Sequence, residues 1–558
     1  MKRSALISTI LLLAGTQAIF AQNDINKEND INKEVIVVKE YEATVSDAFK
    51  INFMPEIKDT IPVITKFQYF IEPNVPEINY SPQQIPAAKV TGEPIQQLYN
   101  TYLRAGAGNY TSFLGEAGFN VLRKKEYTAG FFYKHQSSLS KIKLSNDYKS
   151  PAQFSDNSFT MGGEKFMGTK SLYGSAWFER NVFHYYGFNP VFDTTLTDDS
   201  ERQRLMNIGT KIGLKSYFPD SSRINYDFSA GYNFFENIQG GYQNHVLADA
   251  RLTNFYKNEL LMLNINVNYY NKMSSIDTVN NGIIHLNPGV RFFGDKWRIE
   301  AGLMFDVDAY SDSLFYHYYP SVFLQYNVIE DLLIPYFGFS GGIKSNDFRS
   351  IARENPFTLP GLQVKNTNNL IQLNLGFKGR FSRSSSFNIS GAYGVYEDMF
   401  FFLPDSNGIE NKFNVVYDNV QLMQFRGEFA IKKSEKFNAF LTTNYYHYTC
   451  DSQQYAWHKP TYDMTLALKY NLKNKIIAGI DIYNQGETWS RIWHNDQNVP
   501  EIIKVKSIID VNLNVEYRYT KLLSFYVNAN NLIHRKNYYW SNYPVQRFNI
   551  MAGLSYMF

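Results

Sequence analysis

Nine histidines, His135, His184, His245, His285, His317, His447, His458, His494 and His534, are the side chains of this sequence best suited to ligating a metal or moving a proton, and they are scattered. A zinc site needs three or four His, Cys or carboxylate ligands at close spacing, and the chain has no H-E-x-x-H and no Cys/His cluster. Asp306-Val-Asp308 with Asp312, and the run holding Asp193, Asp198, Asp199 and Glu201, offer the oxygen ligands that Ca²⁺ prefers. Neither has the loop glycine and spacing of a dedicated site, so solvated acidic faces are the simpler reading. No serine sits in a G-x-S-x-G elbow, and the single cysteine, Cys450, allows no intrachain disulfide. The expectation is neither an enzyme nor a cofactor carrier, with no metal.

Charges and aromatics remain. Arg298, Glu300, Lys378, Arg380, Asp463, Lys469, Glu516 and Arg518 fall on one side of alternating segments and read as lumen-lining. Its cations offer selection of anionic solutes, as charged rings do in pores, or charge balance against Glu300, Asp306, Asp463 and Glu516, which is the preferred reading. Aromatic-rich connections, Phe183-His-Tyr-Tyr186, Tyr455-Ala-Trp457, Trp489, Trp493 and Tyr538-Tyr-Trp540, suit stacking on sugars, gripping a partner, or a membrane-interface girdle.

The elements that place these residues are strands. Leu261, Leu263, Ile265, Val267 and Tyr269 alternate with Met262, Asn264, Asn266 and Asn268. Trp297, Ile299, Ala301, Leu303 and Phe305 alternate with Arg298, Glu300, Met304 and Asp306, and the same division runs through Ile371–Arg380 and Asp510–Arg518. Side chains of a strand change face at every residue, so each segment is a ribbon with one apolar and one polar side. A cation on a lipid face near the midplane costs about 2 to 4 kcal/mol, which is why the segregation is informative. From Leu98 onward the period-two pattern yields about 22 strands. Short turns, such as Pro219–Arg223, Gly294–Lys296, Ser382–Ser385 and Leu472–Lys475, alternate with long connections: His135–Asn157, Phe183–Arg202, Lys344–Asn369, Met399–Lys412, Gly486–Lys504 and Arg535–Val545. Only a closed barrel satisfies strand backbones in hydrocarbon, and bacterial barrels place short turns on the periplasmic side. The fold class is all-β, a transmembrane antiparallel barrel.

Composition agrees with this reading. The 42 Tyr and 44 Phe among 558 residues suit two interface girdles, and a net charge of +3 argues against a nucleic-acid surface. Lys2 and Arg3, the apolar run Ala5–Phe20 and Ala21 read as a signal peptide, residues 1–21, cut after Ala21. Residues 22–97 read as an extended periplasmic or lumenal arm: a repeated Asn-Asp-Ile-Asn-Lys-Glu, then seven prolines from Pro55 to Pro94, which exclude long helices and central strands. Residues 98–558 are the barrel.

Asn528-Ala-Asn-Asn-Leu532, Tyr538, Tyr543-Pro544 and the closing alternation Phe548 to Phe558 resemble the last two strands of TonB-dependent receptors of Gram-negative outer membranes. The resemblance covers about four-fifths of the chain, mostly as architecture. It implies a 22-stranded barrel in outer-membrane lipid and a terminal Phe558 read by the barrel-assembly machinery. It also implies that Val35, Ile36, Val37 and Val38, within Glu34–Glu40, are an energy-coupling box donating a strand to a periplasmic TonB-like protein; a plain tether is the alternative. The segment before Leu98 is too short and proline-rich for the plug domain of those receptors. Two functions follow: transport of a solute across the outer membrane, or a non-transporting barrel that scaffolds or assembles other envelope proteins.

Overall fold

The computed structural model describes residues 99–122, 124–145, 147–189, 201–219, 223–273, 278–311, 313–330, 332–406, 409–493 and 499–558. The arm, with Val35–Val38, lies outside the described residues, as do Asp193, Asp198, Asp199 and Asp312.

The expected alternation produces a single sheet of 22 strands in which each strand pairs antiparallel with its neighbours in sequence. Numbered along the chain, the first strand (Thr101–Gly108) pairs with both the second (Ser112–Asn120) and the last (Asn549–Met557), which closes the ring. Thr101 N–H donates to the Phe558 carbonyl at 2.9 Å, and Phe558 N–H donates to the Thr101 carbonyl at 3.1 Å, so the final residue completes the closing ladder. With no free first or last strand, the edge problem of an open sheet disappears there.

One face of the wall exposes large apolar side chains: Leu261, Tyr269, Leu303, Leu324, Leu375, Phe377 and Leu554 all stand on it. The other carries charge in rungs that cross strands. Glu116 lies between Arg104 at 3.8 Å and Lys134 at 3.7 Å, in register on three adjacent strands. Short turns join even-numbered strands to the next odd ones, and both ends of the barrel sit on that side. In one such turn Lys473 and Asn474 both adopt positive φ, 50° and 55°, matching the twist of a two-residue hairpin.

Strands run longer than the ten or so residues a bilayer requires, up to Phe413–Lys433. Several connections expected to be irregular are therefore partly strand. Most strand pairs continue far toward the long-loop side, the fifteenth and sixteenth strands out to Pro404 opposite Phe413. The connections also fold locally, into the hairpins Lys141–Lys143 with Lys149–Pro151 and Thr488–Ile492 with Glu501–Val505, and into the helix Phe348–Glu354.

Candidate functional site

The connection between the thirteenth strand (Ile334–Lys344) and the fourteenth (Thr367–Ser382) carries that helix, and local chemistry explains it. Asp347 caps the start, accepting from Ser350 N–H at 3.1 Å, while Ser350 Oγ accepts from Asp347 N–H at 3.0 Å. This is a reciprocal capping box. Phe348, Ile351 and Ala352 share one buried face at the i, i+3, i+4 spacing.

Its contacts place this segment inside the ring. Arg353 and Arg349 both pair with Glu179 on the fifth strand (Lys170–His184). Phe348 meets Phe235 edge-on at 5.5 Å on the seventh (Asn225–Asn237), and Asp347 accepts from Gln243 at 2.7 Å on the eighth (Tyr242–Tyr256). Lys272, on the ninth (Glu259–Met273), donates to the Leu362 carbonyl. Asn366 donates to Asp308 at 2.9 Å on the eleventh (Trp297–Tyr310). Tyr417, on the sixteenth (Phe413–Lys433), donates to the Gln363 carbonyl at 3.1 Å. Strands five and sixteen of twenty-two are diametrically opposite. One segment can touch both only by crossing the bore, so 345–366 spans the mouth on the long-loop side.

Other connections pack onto it and build an apolar core from Phe183, Tyr185, Tyr186, Phe188, Phe357, Phe402, Phe413, Trp540 and Tyr543. Tyr543 stacks on Phe357 at 3.8 Å and meets Tyr186 edge-on at 4.9 Å. Each buried phenol has a partner: Tyr185 donates to the Thr358 carbonyl at 3.0 Å, Tyr186 to that of Pro544 at 2.8 Å, and Tyr543 to that of Asn411. Burial holds all three phenols far above their ordinary range, so they stay neutral donors. Lys459 reaches Glu354 at 2.8 Å and ties a further connection to the helix.

His458 is the polar knot of this closure. It is fully enclosed beside Phe413 and Trp540, with Nδ1 2.8 Å from the Phe402 carbonyl and Nε2 3.3 Å from Ser541 N–H. A carbonyl on one side and an N–H on the other fix the neutral tautomer protonated at Nδ1. Burial, assisted by the Lys459 charge and opposed by the Phe402 carbonyl, pushes the imidazole down to about 4.

The aromatic-rich connections are thus turned against each other rather than outward. Tyr185, Tyr186, Trp457 and Trp540 are all buried, and Tyr455 stacks on Trp489 at 4.1 Å. Sequence reasoning missed the helix, whose signal was present in Asp347-Phe348-Arg-Ser350-Ile351-Ala352, a cap followed by an amphipathic triplet.

Several of the charged residues singled out from sequence have partners on the same or the next strand. Glu300 takes Arg291 at 2.9 Å and Arg298 at 3.3 Å, and Glu516 takes Arg518 at 3.2 Å. Lys378 and Arg380 border a cavity of about 350 Å³ with Asn388 and Glu428, and Lys378 lies 5.8 Å from the Tyr336 ring. Asp463 accepts from Asn444 at 2.9 Å rather than from a cation. Lys469 stands in register between Asn438 and Gly479. Asp306 binds His285 at 2.8 Å and Ile343 N–H at 2.9 Å rather than a lysine or arginine. Among the described residues no group of three or more His, Cys, Asp or Glu is arranged to hold a metal ion.

No protein-family model matches the sequence, and no curated protein matches it. Solved structures do match the fold. The pyoverdine outer-membrane receptor FpvA of Pseudomonas aeruginosa superposes with a TM-score of 0.64 at 12% identity, over 84% of this chain and 79% of that one. The FrpB iron transporter of Neisseria meningitidis gives 0.63 at 11%, over 83% and 82%. The siderophore receptor PirA of Acinetobacter baumannii gives 0.64 at 11%, over 84% and 81%. The chain shares its barrel fold with these two outer-membrane receptors and this iron transporter.

Proposed function

We propose that this protein is an outer-membrane transport barrel of the receptor type, taking up a solute through a lumen whose outer mouth its own connections close. The observation that carries the reading is a bore of 22 strands, wide enough for an aqueous channel, crossed at one end by the tethered segment 345–366. Hydrogen bonds and ion pairs to the wall hold that segment, a kind of closure that can be released. The likeness to siderophore receptors makes an iron–siderophore complex the first solute class to test. Arg298, Glu300, Lys378, Arg380, Asp463, Lys469, Glu516 and Arg518 would line the route.

The proposed partners are outer-membrane lipid, the barrel-assembly machinery acting on Phe558, and a periplasmic TonB-like protein pairing with Val35–Val38. Export behind a signal peptide cut after Ala21 belongs to the same proposal. The densely packed aromatic core favours a second reading, a scaffold barrel for other envelope proteins.

Planar-bilayer conductance separates the two, using the whole barrel, a variant with 347–362 replaced by a Gly/Ser linker, and each of these without residues 22–97. Large stable currents once the crossing segment is gone, together with uptake of a ferric siderophore by cells carrying the intact protein, support transport. Silence in every variant supports the scaffold.

A further inference from the structure

One flank of the ring is incompletely joined. The twelfth strand, Ser313–Tyr326, pairs with the eleventh along its whole length, from Ser313 opposite Tyr310 to Tyr326 opposite Trp297. With the thirteenth it pairs only from Val322 opposite Phe339 to Gln325 opposite Tyr336, four rungs. The next shortest ladder of the barrel has six. From Ser313 to Ser321 one edge of the twelfth strand therefore has no ladder partner among the described residues, and Pro320 stands there, a residue sheets accept at edges. Leu314, Tyr316 and Tyr318 are exposed along it, Tyr318 at 65%.

The thirteenth strand leaves this edge because it bends inward. Gly342 has φ of +150°, and a bulge separates Ser340 from Gly342. A Cβ on Gly341 would lie 2.4 Å from the Tyr319 ring, and one on Gly342 would lie 2.8 Å from Met304 Sδ. Backbone without side chains thus passes behind the twelfth strand. Beyond the bend, Ile343 N–H donates to Asp306 Oδ2 at 2.9 Å, two strands away, and the Ile343 side chain is buried with Ile283 and Tyr319.

The sequence of this stretch is nevertheless that of a wall strand. Continuing the observed register sets Ser340 opposite Ser321, Gly341 opposite Pro320, Gly342 opposite Tyr319, Ile343 opposite Tyr318 and Lys344 opposite His317. Gly341 and Ile343 would then join Phe337 and Phe339 on the lipid side, and Ser340, Gly342 and Lys344 the polar side.

We propose that Ser340–Lys344 has two seats, the inward one seen here and one zipped onto Ser321–His317, and that the exchange gates the mouth. The coupling is mechanical. Ile343 and Lys344 pair with Asn368 and Thr367, so zipping moves both stems of the crossing segment toward the wall together. That movement draws the helix off Glu179, Gln243 and Lys272. The inward seat closes the mouth and leaves a strand edge uncovered; the zipped seat covers the edge and opens the mouth. An uncovered edge at the bilayer is unfavourable, which keeps the second seat within reach.

The test is a cysteine pair in the full chain with Cys450→Ser, reconstituted in liposomes. Tyr318→Cys with Ile343→Cys forms a disulfide only if the two Cβ atoms come within about 4.5 Å, which the zipped register supplies. In the inward seat the two side chains lie on opposite sides of the wall. The matched pair Gln243→Cys with Phe348→Cys locks the inward seat. Expected are oxidation of the 318–343 pair with at least a threefold rise in single-channel current over its reduced form, and loss of opening when 243–348 is oxidised. The inference is overturned if 318–343 stays reduced while 243–348 oxidises fully, or if 318–343 oxidises without change in current. Heat-modifiable gel mobility reports folding, and His317→Cys with Lys344→Cys repeats the test on the inner face should Tyr318→Cys misfold. Crosslinking is read on the barrel itself, so failure of solute uptake and failure of this gate are separate results.

Discussion

Protonating His458 should loosen the closure of the mouth, and the size of the effect can be worked out. When the closure opens, the imidazole meets water and returns toward its ordinary value of 6.5; when closed it is held at about 4. The open form therefore binds the proton first, and closure weakens as pH falls from about 6.5 toward 4, below which no further loss accrues. The span of roughly 2.5 units corresponds to about 3 kcal/mol in total, and at pH 5 about 2 kcal/mol is already lost. The mechanism is specific: a proton on Nε2 abolishes the bond from Ser541 N–H and puts a cation beside Phe413 and Trp540, with Lys459 next in sequence. In a bilayer the fraction of time the intact barrel conducts should rise about 20-fold between pH 7 and pH 5, since 1.4 kcal/mol is a factor of ten and part of the loss is already present at pH 7. His458→Gln, which keeps an amide donor and acceptor but does not titrate, should flatten this dependence. A wild type whose current is indifferent to pH over that range, or a His458→Gln barrel with the same dependence, would refute the reasoning.

Four further outcomes are expected. Phe357→Ala removes the ring stacked on Tyr543 and should destabilise the closure by about 3 to 5 kcal/mol, seen as frequent opening with unchanged gel mobility of the barrel. Gly342→Val cannot hold a φ of +150° without strain and meets Met304, so it should favour the zipped seat and raise the yield of the 318–343 disulfide. Ile265→Arg, on the lipid side of a central segment, should cost about 2 to 4 kcal/mol in unfolding measurements, whereas Asn266→Arg, which sits beside Asp249, should cost little. Deleting Phe558 removes its backbone bonds to Asn100 and Thr101 at the closing ladder and should reduce the amount of heat-modifiable barrel in outer-membrane fractions.

The wall was legible because its physics is local. Period two, applied to segments such as Leu261–Tyr269 and Trp297–Asp306, needs no knowledge of what lies opposite, and the short turns punctuate it. The closure was not legible in this way. Phe183, Tyr185, Phe357, Tyr543 and Trp540 come together across 360 residues of sequence, and in each local window an aromatic beside polar neighbours looks the same whether it faces lipid, a ligand or another loop. His458 illustrates the point: nothing near it in sequence marks burial, because the groups that enclose it are Phe402, Phe413 and Trp540 on other connections. Glu300 with Arg298 and Glu516 with Arg518 do neutralise each other two residues apart on one strand, but Asp306 is claimed by His285 and a backbone N–H.

Asp306 also shows why the mouth and the flank belong to one device. A buried carboxylate that accepts a backbone N–H from Ile343, two strands away, holds the thirteenth strand off its proper neighbour. The adjoining glycines supply the bend, and Tyr319 fills the space left behind. These contacts stabilise a strand that has given up ladder bonds along one edge. Ladder bonds are worth most where water is scarce, so the balance between the two seats depends on the bilayer as well as on the connections. Asp306→Asn tests this: it retains an acceptor for Ile343 N–H but weakens it by removing the charge, and the 318–343 disulfide should form faster in liposomes than in the parent barrel. An unchanged rate would assign the inward seat to the packing of the crossing segment alone.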